Sequence, residues 1–402
     1  IRYVFTIGVI VLVSAALGFG AFEWWLRSDP SRMGRSLALA QADFYPYLGI
    51  ENLYPWNPDG VFQREFGYHK GKILYQHRKT EQINFSGDRF QRIFQLAPDQ
   101  TANPAAFRIF VIGSSVAHAG NVPLADTYFS KLQGLLQAPY PIQVVAAGKG
   151  GASSTEELIL FTLSVLPNRP DMIVILDGWN DYALSSILGV RPGDPFNASV
   201  MYSKHYDLTY NLIRWLADRS RVAQLLYQKA TYSDLAANLD YLETNAGYRA
   251  SRINSLVSVY LHNVRTMIDI CDGLGIPVVL APQPAPDLLL KRHGNQIQGA
   301  DSARHARIME RVQSLPTSQY RSRDLITESY EKMLAEIGKS PRLALRFIDI
   351  QEAVQLDQFV DFVHMDAPGQ ARLAEALAAA IRTRLPAEWS PSIRDRQNPP
   401  WP

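Results

Sequence analysis

From Arg108 onward the sequence settles into a rhythm that leaves few architectures open. Arg108 to Ile112 is a short apolar run, Leu124 to Gln137 has helical period, Gln143 to Ala147 is another short run, and Thr155 to Leu166 is again helical. Met172 to Leu176 follows, then much later Ile276 to Ala281 and Leu345 to Ile350. Runs of five or six apolar residues without alternation suit strands buried on both faces. Such strands, separated by amphipathic helices, imply a parallel sheet covered by helices on either side, an α/β fold. At 402 residues with 47% hydrophobic side chains, the chain can build that core with material to spare.

The spare material falls in recognisable places. Two insertions, about 182–254 and 284–339, interrupt the rhythm; the first carries aromatic residues at Tyr202, Tyr206, Tyr210 and Trp215. Both leave the carboxyl edge of the sheet, where ligands bind, so they read either as lids or as helices that enlarge the fold. A lead-in over 28–105 is rich in Tyr, Phe, Gly and Pro, with strands expected at Lys72 to Tyr75 and Gln82 to Phe85 and a turn at Ser86-Gly87-Asp88. The last residues, 387–402, hold Pro and Trp and are expected to be extended. The main domain then spans 106–386.

Residues 1–27 are of another kind. Val4 to Phe22 is uncharged and almost wholly apolar, and at ~1.5 Å per residue a helix continuing to Trp25 would cover the ~30 Å hydrocarbon layer. Tyr3 at one end and Trp24 and Trp25 at the other suit the two interfaces. A cleaved signal peptide is the rival, with small residues around Ala15 to Ala21, but the run is long for one. A membrane helix over residues 4–25, projecting from the body, is therefore expected. Arg27, Arg32 and Arg35 by themselves favour a cytoplasmic body, but an envelope substrate favours an extracytoplasmic (periplasmic) one, and that side is the expectation for the catalytic domain. Partners in a membrane complex are a further expectation.

Composition excludes some classes. A net charge of +2 is too weak a field to suggest nucleic acid. The single cysteine, Cys271, forbids an intrachain disulfide framework or a Cys-rich metal site and reads as inert core in a helix. No cofactor and no metal are expected.

Chemistry-bearing residues stand where the strands end. The first run closes on Ile112-Gly113-Ser114-Ser115, which sets a hydroxyl at the carboxyl edge of the sheet. The second closes on Ala147-Gly148-Lys149-Gly150-Gly151-Ala152, whose glycines let backbone N–H groups approach an oxyanion. The third closes on Asp177-Gly178-Trp179-Asn180-Asp181, a polar amide straight after a buried strand. Near the end stands Asp361-Phe362-Val363-His364-Met365-Asp366-Ala367-Pro368, before an amphipathic helix that Asp366 would cap with Pro368 in its first turn. A carboxylate three residues before an imidazole can hold one ring nitrogen and leave the other to take a proton from a serine.

In this order, the four segments resemble the four blocks of the SGNH (GDSL-like) hydrolases, over roughly Phe107 to Pro386 without the insertions. The resemblance implies a flavodoxin-like α/β/α sandwich and a serine ester hydrolase. It makes Ser115 the nucleophile, His364 and Asp361 its base pair, and the Ser115 N–H, Gly151 and Asn180 the oxyanion hole. The expected substrate is an O-acyl ester, for instance an O-acetyl group on a glycan or lipid. An O-acyltransferase using the same triad, or an accessory subunit of a membrane complex that keeps the fold, are the alternatives. The chain departs from the family pattern at Ser114, where an aspartate is common, at His118, where a small residue is usual, and at Ala146, where an asparagine is frequent.

Overall fold

The computed structural model describes residues 17–25, 28, 64–69, 72–77, 94–98, 100–120, 122–149, 152–182, 244–293, 317–360 and 363–391, with isolated positions at 193, 216, 220 and 222–223. Two antiparallel strands of the lead-in, β1 (Arg64–His69) and β2 (Lys72–His77), form a hairpin. The expected strand at Lys72 to Tyr75 lies within β2; Gln82 to Phe85 and the turn at Ser86 to Asp88 fall outside the described residues.

The main domain is built on four parallel strands, β3 (Phe107–Gly113), β4 (Ile142–Gly148), β5 (Met172–Leu176) and β6 (Val278–Leu280), in the spatial order β4-β3-β5-β6. Every residue of β3 and β5 is buried, as uninterrupted apolar runs require when helices cover both faces. Phe347 adds a single parallel bridge to Leu280, with Ile348 N donating to Leu280 O and Leu280 N to Arg346 O. The expected strand from Leu345 to Ile350 is thus reduced to one bridge. It follows a short helix (Pro341–Ala344) without a break, and Leu345 is 75% exposed, so the start of the segment faces away from the edge while Phe347, Ile348 and Ile350 pack on the core. Counting that bridge as a fifth position, the order is the flavodoxin-like 2-1-3-4-5.

Connecting helices sort by the direction of crossover. α1 (Ser115–His118) and α2 (Tyr128–Leu135) lie between β3 and β4, and α3 (Ser154–Leu160) between β4 and β5. The long α4 (Ala246–Gly273) joins β5 to β6; α5 (Pro286–His293), α6 (Thr317–Lys339), α7 (Pro341–Ala344) and α8 (Ala367–Arg382) follow. The chain steps one way from β3 to β4 and the other way thereafter, and right-handed crossovers then place the two sets of helices on opposite faces. Packing follows that rule: α8 lies against α2, while α4 lies against α3 and α6.

Several expectations meet their detail here. The boundary placed at Asn254 falls inside α4, so the first insertion ends earlier, with Asn245 capping α4 through the Tyr248 N–H. The aromatic positions Tyr202, Tyr206, Tyr210 and Trp215 lie outside the described residues. Cys271 is buried in α4, and burial pushes its thiol far above the ordinary range, which keeps it an inert thiol. The helical reading of Thr155 to Leu166 is interrupted: α3 ends at Leu160, and one π-turn (Phe161–Val165) and one 3-10 turn (Leu166–Asn168) bring the chain to β5. The start of the C-terminal segment is docked, because Trp389 packs edge-on against Phe107 and donates to Asp171 at 3.1 Å, and Tyr140 donates to Pro386 O. Residues 392–402 are outside the described set.

Residues 17–25 are helical, with Leu17, Phe19, Phe22, Trp24 and Trp25 exposed. Among the described residues no helix is long and apolar enough to cross a membrane; the greater part of the Val4 to Phe22 run lies outside them. This helix touches the first insertion, since the Glu23 carboxylate accepts from Ser220 Oγ at 3.0 Å and Val222 N at 2.9 Å.

Candidate active site

Register sets the site. Gly113 at the end of β3 pairs with Gly148 of β4 on one side and Leu176 of β5 on the other, so three turns leave the sheet at one level. Between β3 and β5 the chain changes direction of winding, and there the crevice of an open α/β sheet forms. Two glycines permit the close packing at that point. A Cβ on Gly113 would lie 2.0 Å from Leu176 O, and one on Gly148 would lie 2.1 Å from His118 N. Only a bare α-carbon fits at either place.

Ser115 opens α1 and is half-buried. His118, three residues on, lies on the same helical face. Its ring is held by a hydrogen bond with the Gly148 backbone; burial, then the Lys149 ammonium, and in smaller part His364, lower its pKa to about 4. It is therefore a neutral imidazole at neutral pH. Lys149 is itself buried, and burial lowers it to about 8.

His364 arrives from the far end of the chain. The segment before α8 is pinched by a bridge between Phe359 and Met365, with Val360 N donating to His364 O and Asp366 N to Gln358 O, both at 2.8 Å. Asp366 caps α8 by accepting from Gly369 N at 2.8 Å, as its position before Ala367-Pro368 suggested. One turn into α8, Gln370 accepts from Tyr128 N, and the Tyr128 hydroxyl donates to Ala117 O, each at 2.9 Å. This relay fixes α8 to α2 and α2 to α1, the helix that carries Ser115. The field of His364 at His118 places the two imidazoles in one neighbourhood. Asp361 and Phe362 lie outside the described residues.

The second turn is anchored by Lys149 N donating to Gly113 O at 3.0 Å and Ala152 N to Lys149 O at 3.1 Å. Gly150 and Gly151 fall outside the described residues, but the residues that flank them are thus held at the carboxyl edge. Asn180 is 7% exposed and donates from Nδ2 to Ala152 O at 2.9 Å, which joins the third turn to the second. The amide has a second N–H. Gly178, at φ +113, supplies the left-handed step that turns the chain from Asp177 towards Asn180.

Several contributors were not singled out in the sequence. Gln283, wholly buried past the end of β6, has its Oε1 3.4 Å from Ser114 Oγ; its backbone N donates to Asp177 O. Asp181 accepts from both Ser154 N and Ser154 Oγ, and Asn263 of α4 donates to the same hydroxyl at 2.9 Å. Burial, then the charge of Asp177, pushes the Asp181 carboxyl up to about 7. The Ser-x-x-Glu spacing of Ser153 and Glu156 was the legible signal for the helix start behind this cluster: Glu156 Oε2 accepts from Ser153 N at 2.9 Å in a capping box. Among the described residues no group of three His, Cys, Asp or Glu is arranged to hold a metal ion.

Solved proteins align with much of the chain at low identity. A solved protein of Desulfitobacterium hafniense DCB-2 assigned to the G-D-S-L lipolytic family is 12% identical, covering 68% of this chain and 99% of its own, at a TM-score of 0.33. The acetyl xylan esterase AlAXEase is 14% identical over 68% of this chain and 99% of its own, with a TM-score of 0.36. A lipase/acylhydrolase from Enterococcus faecalis is 15% identical over 70% and 99%, with a TM-score of 0.30. No protein-family model and no curated protein matches the chain.

Proposed function

We propose that this chain is a serine ester hydrolase acting on an O-acyl group, with Ser115 as nucleophile, His364 as base and Asp361 as the carboxylate that orients it. The observation that carries the reading is the level register of Gly113, Gly148 and Leu176, which collects three polar turns at one switch point. Ser115 Oγ attacks the ester carbonyl carbon while His364 accepts its proton. The developing oxyanion is received by the Ser115 and Gly151 N–H groups and the second N–H of Asn180. Collapse expels the alcohol, which takes the proton from His364. Water then attacks the acyl-serine, gives its proton to His364, and leaves as the acid when Ser115 is reprotonated. An alcohol in place of that water would make the same site an O-acyltransferase. The neutral His118 beside the nucleophile adds no charge that would compete with the oxyanion donors.

The anchor belongs to the same proposal. The exposed apolar side chains of residues 17–25 continue the run from Val4, and residues 4–25 would hold the body at a membrane. Carbonate extraction of native membranes tests it: full-length chain in the soluble fraction removes the transmembrane assignment.

For the chemistry, hydrolysis of an activated acetyl ester and labelling by a fluorophosphonate are measured on the full chain beside Ser115→Ala and His364→Ala. Each substitution should lower turnover by roughly 10⁴-fold or more, and the double variant should lose little beyond that, because nucleophile and base act as a unit. Asp361→Asn should fold normally yet lower the rate strongly, since an amide favours the wrong imidazole tautomer. Wild-type turnover by Ser115→Ala would end the hydrolase reading.

A further inference from the structure

Behind the turn that carries Asn180 lies a buried pair of carboxyl groups that the proposed chemistry does not use. Glu157 of α3 is 1% exposed and Asp177, just after β5, is wholly buried. Asp177 Oδ1 accepts from the Tyr260 hydroxyl of α4 at 2.8 Å. The remaining oxygens, Glu157 Oε1, Glu157 Oε2 and Asp177 Oδ2, are buried, and no donor among the described residues reaches them. Yet the two carboxyl groups face each other within hydrogen-bonding range. Two ionised carboxylates have only acceptors to offer, so this contact needs a proton.

We infer that Glu157 and Asp177 share one proton, with neutral Glu157 donating to Asp177 Oδ2, and that this acid pair positions the turn carrying Asn180. The inference deepens the hydrolase proposal, since it rests on Asn180 as an oxyanion donor; Glu157 is a positioning residue, remote from the ester itself. One proton satisfies the arrangement: Asp177 remains charged and takes hydrogen bonds from Tyr260 and Glu157, one on each oxygen. The surroundings favour that distribution. The groups acting on Glu157 are Asp177 and Asp181 from the β5 turn and Glu156 from its own helix, all acidic, and Tyr182, Tyr260 and Tyr330 enclose the Asp177 side. Burial, reinforced by Asp177, holds Glu157 well above the usual carboxylate range, and burial raises Asp177 as well.

The route to Asn180 is short. Asp177 begins the turn, its carbonyl accepts from Gln283 N, and Gly178 at φ +113 leads to Trp179 and Asn180. On the other side Asp181 is tied to Ser154 in α3, the helix that bears Glu157. Loss of the shared proton sets two buried negative charges face to face and drives the β5 turn away from α3, and Asn180 moves with it.

The sign follows from linkage. A folded-state pKa raised above the unfolded value gives stability that is complete at acid pH and lost as pH rises through the folded value. Glu157→Gln keeps a donor to Asp177 and cannot titrate; Glu157→Ala removes the donor. Thermal midpoints of the full chain in detergent are measured from about pH 5 to about pH 9, together with hydrogen exchange of the 177–182 segment corrected for intrinsic rates. Wild type should match Glu157→Gln near pH 5 and fall progressively below it as pH rises, by about 3 °C or more. Exchange at 177–182 should rise on the alkaline side in wild type but stay flat in Glu157→Gln. Glu157→Ala should be the least stable of the three at acid pH. With the acetyl ester, the alkaline decline of kcat should be relieved in Glu157→Gln at unchanged KM. Parallel pH profiles for wild type and Glu157→Gln, in midpoint and exchange, would overturn the shared proton. A relieved midpoint with an unrelieved kcat would overturn the positioning role. Absence of turnover in wild type, with the midpoint and exchange contrast intact, would instead sink the hydrolase reading and leave the proton pair standing.

Discussion

Two flanks of one sheet edge show opposite chemistry and one cause. On the side of the β3 and β4 turns stand His118, Lys149 and His364, with His118 lowered to about 4 and Lys149 to about 8. On the side of the β5 turn stand Glu157, Asp177 and Asp181, all raised, Asp181 to about 7. Burial leads in every one of these shifts. Bases lose affinity for their proton and acids hold theirs, because a dry crevice disfavours whichever form is charged. Charge is therefore weakened on both flanks: His118 is neutral at pH 7 and Asp181 is about half ionised there. Asn180, tied to Ala152 at the seam, is a neutral donor at the boundary between them.

Among changes that leave the proposed nucleophile and base in place, removing that seam should have the largest effect on turnover. Asn180→Ala is expected to lower kcat by about 10² to 10³ with little change in KM, since in the proposed chemistry its donor is engaged chiefly as charge develops on the oxyanion. An equal rise in KM instead would mean that Asn180 binds the ground state. Gly148→Ala attacks the basic flank by sterics, forcing a Cβ into His118 N and the Ala117 carbonyl carbon. It should cost about 3 kcal/mol in denaturant unfolding, or prevent folding, because backbone on both sides cannot yield. A neutral result would show that the β4 turn can back away from α1 and that the flank is less tightly built than described.

Lys149→Met tests whether burial governs the basic side. With a folded value of about 8 against an ordinary 10.5, the unfolded chain holds the proton between these limits and the folded chain does not. Wild-type stability should then rise with pH across that window. The variant's advantage in thermal midpoint should be greatest below about pH 8 and shrink towards pH 10.5. A gap independent of pH would place the effect in packing rather than charge. Asp366→Ala is the mildest change and lies outside both flanks. It removes the cap to Gly369 N and should cost ~1 kcal/mol of stability with nearly normal turnover. Loss of kcat as large as that of Asp361→Asn would mean that the two aspartates had been given the wrong roles.

Much of the scaffold was legible because its signals are local. The run Met172 to Leu176 is the strand β5 residue for residue, and Arg108 to Ile112 and Gln143 to Ala147 each miss only the ends of β3 and β4. Asp366 before Ala367-Pro368 is a cap readable from spacing alone. Leu345 to Ile350 was misread because apolarity was taken as pairing: edge strands need a partner along their length, and only Phe347 finds one. The limit set at Asn254 failed for another reason. Polar residues such as Arg249, Arg252 and Asn254 share α4 with core residues from Ile253 to Cys271, and a helix 28 residues long can begin in solvent and end in the core.

By itself the sequence determined the order of strands and helices, the serine and asparagine that follow strand ends, the histidine that precedes the last helix, and the cap of that helix. Each is written within a few residues as a period, a turn or a spacing. Tertiary structure alone decided that Gly113, Gly148 and Leu176 stand level, that α8 reaches α1 through Gln370 and Tyr128, and that Glu157 of α3 meets Asp177 after β5. Those facts depend on contacts between residues 11 to 242 positions apart and on the water excluded around them. Burial, which turns an ordinary glutamate into a neutral acid and an ordinary lysine into a weak base, exists only once the chain has closed.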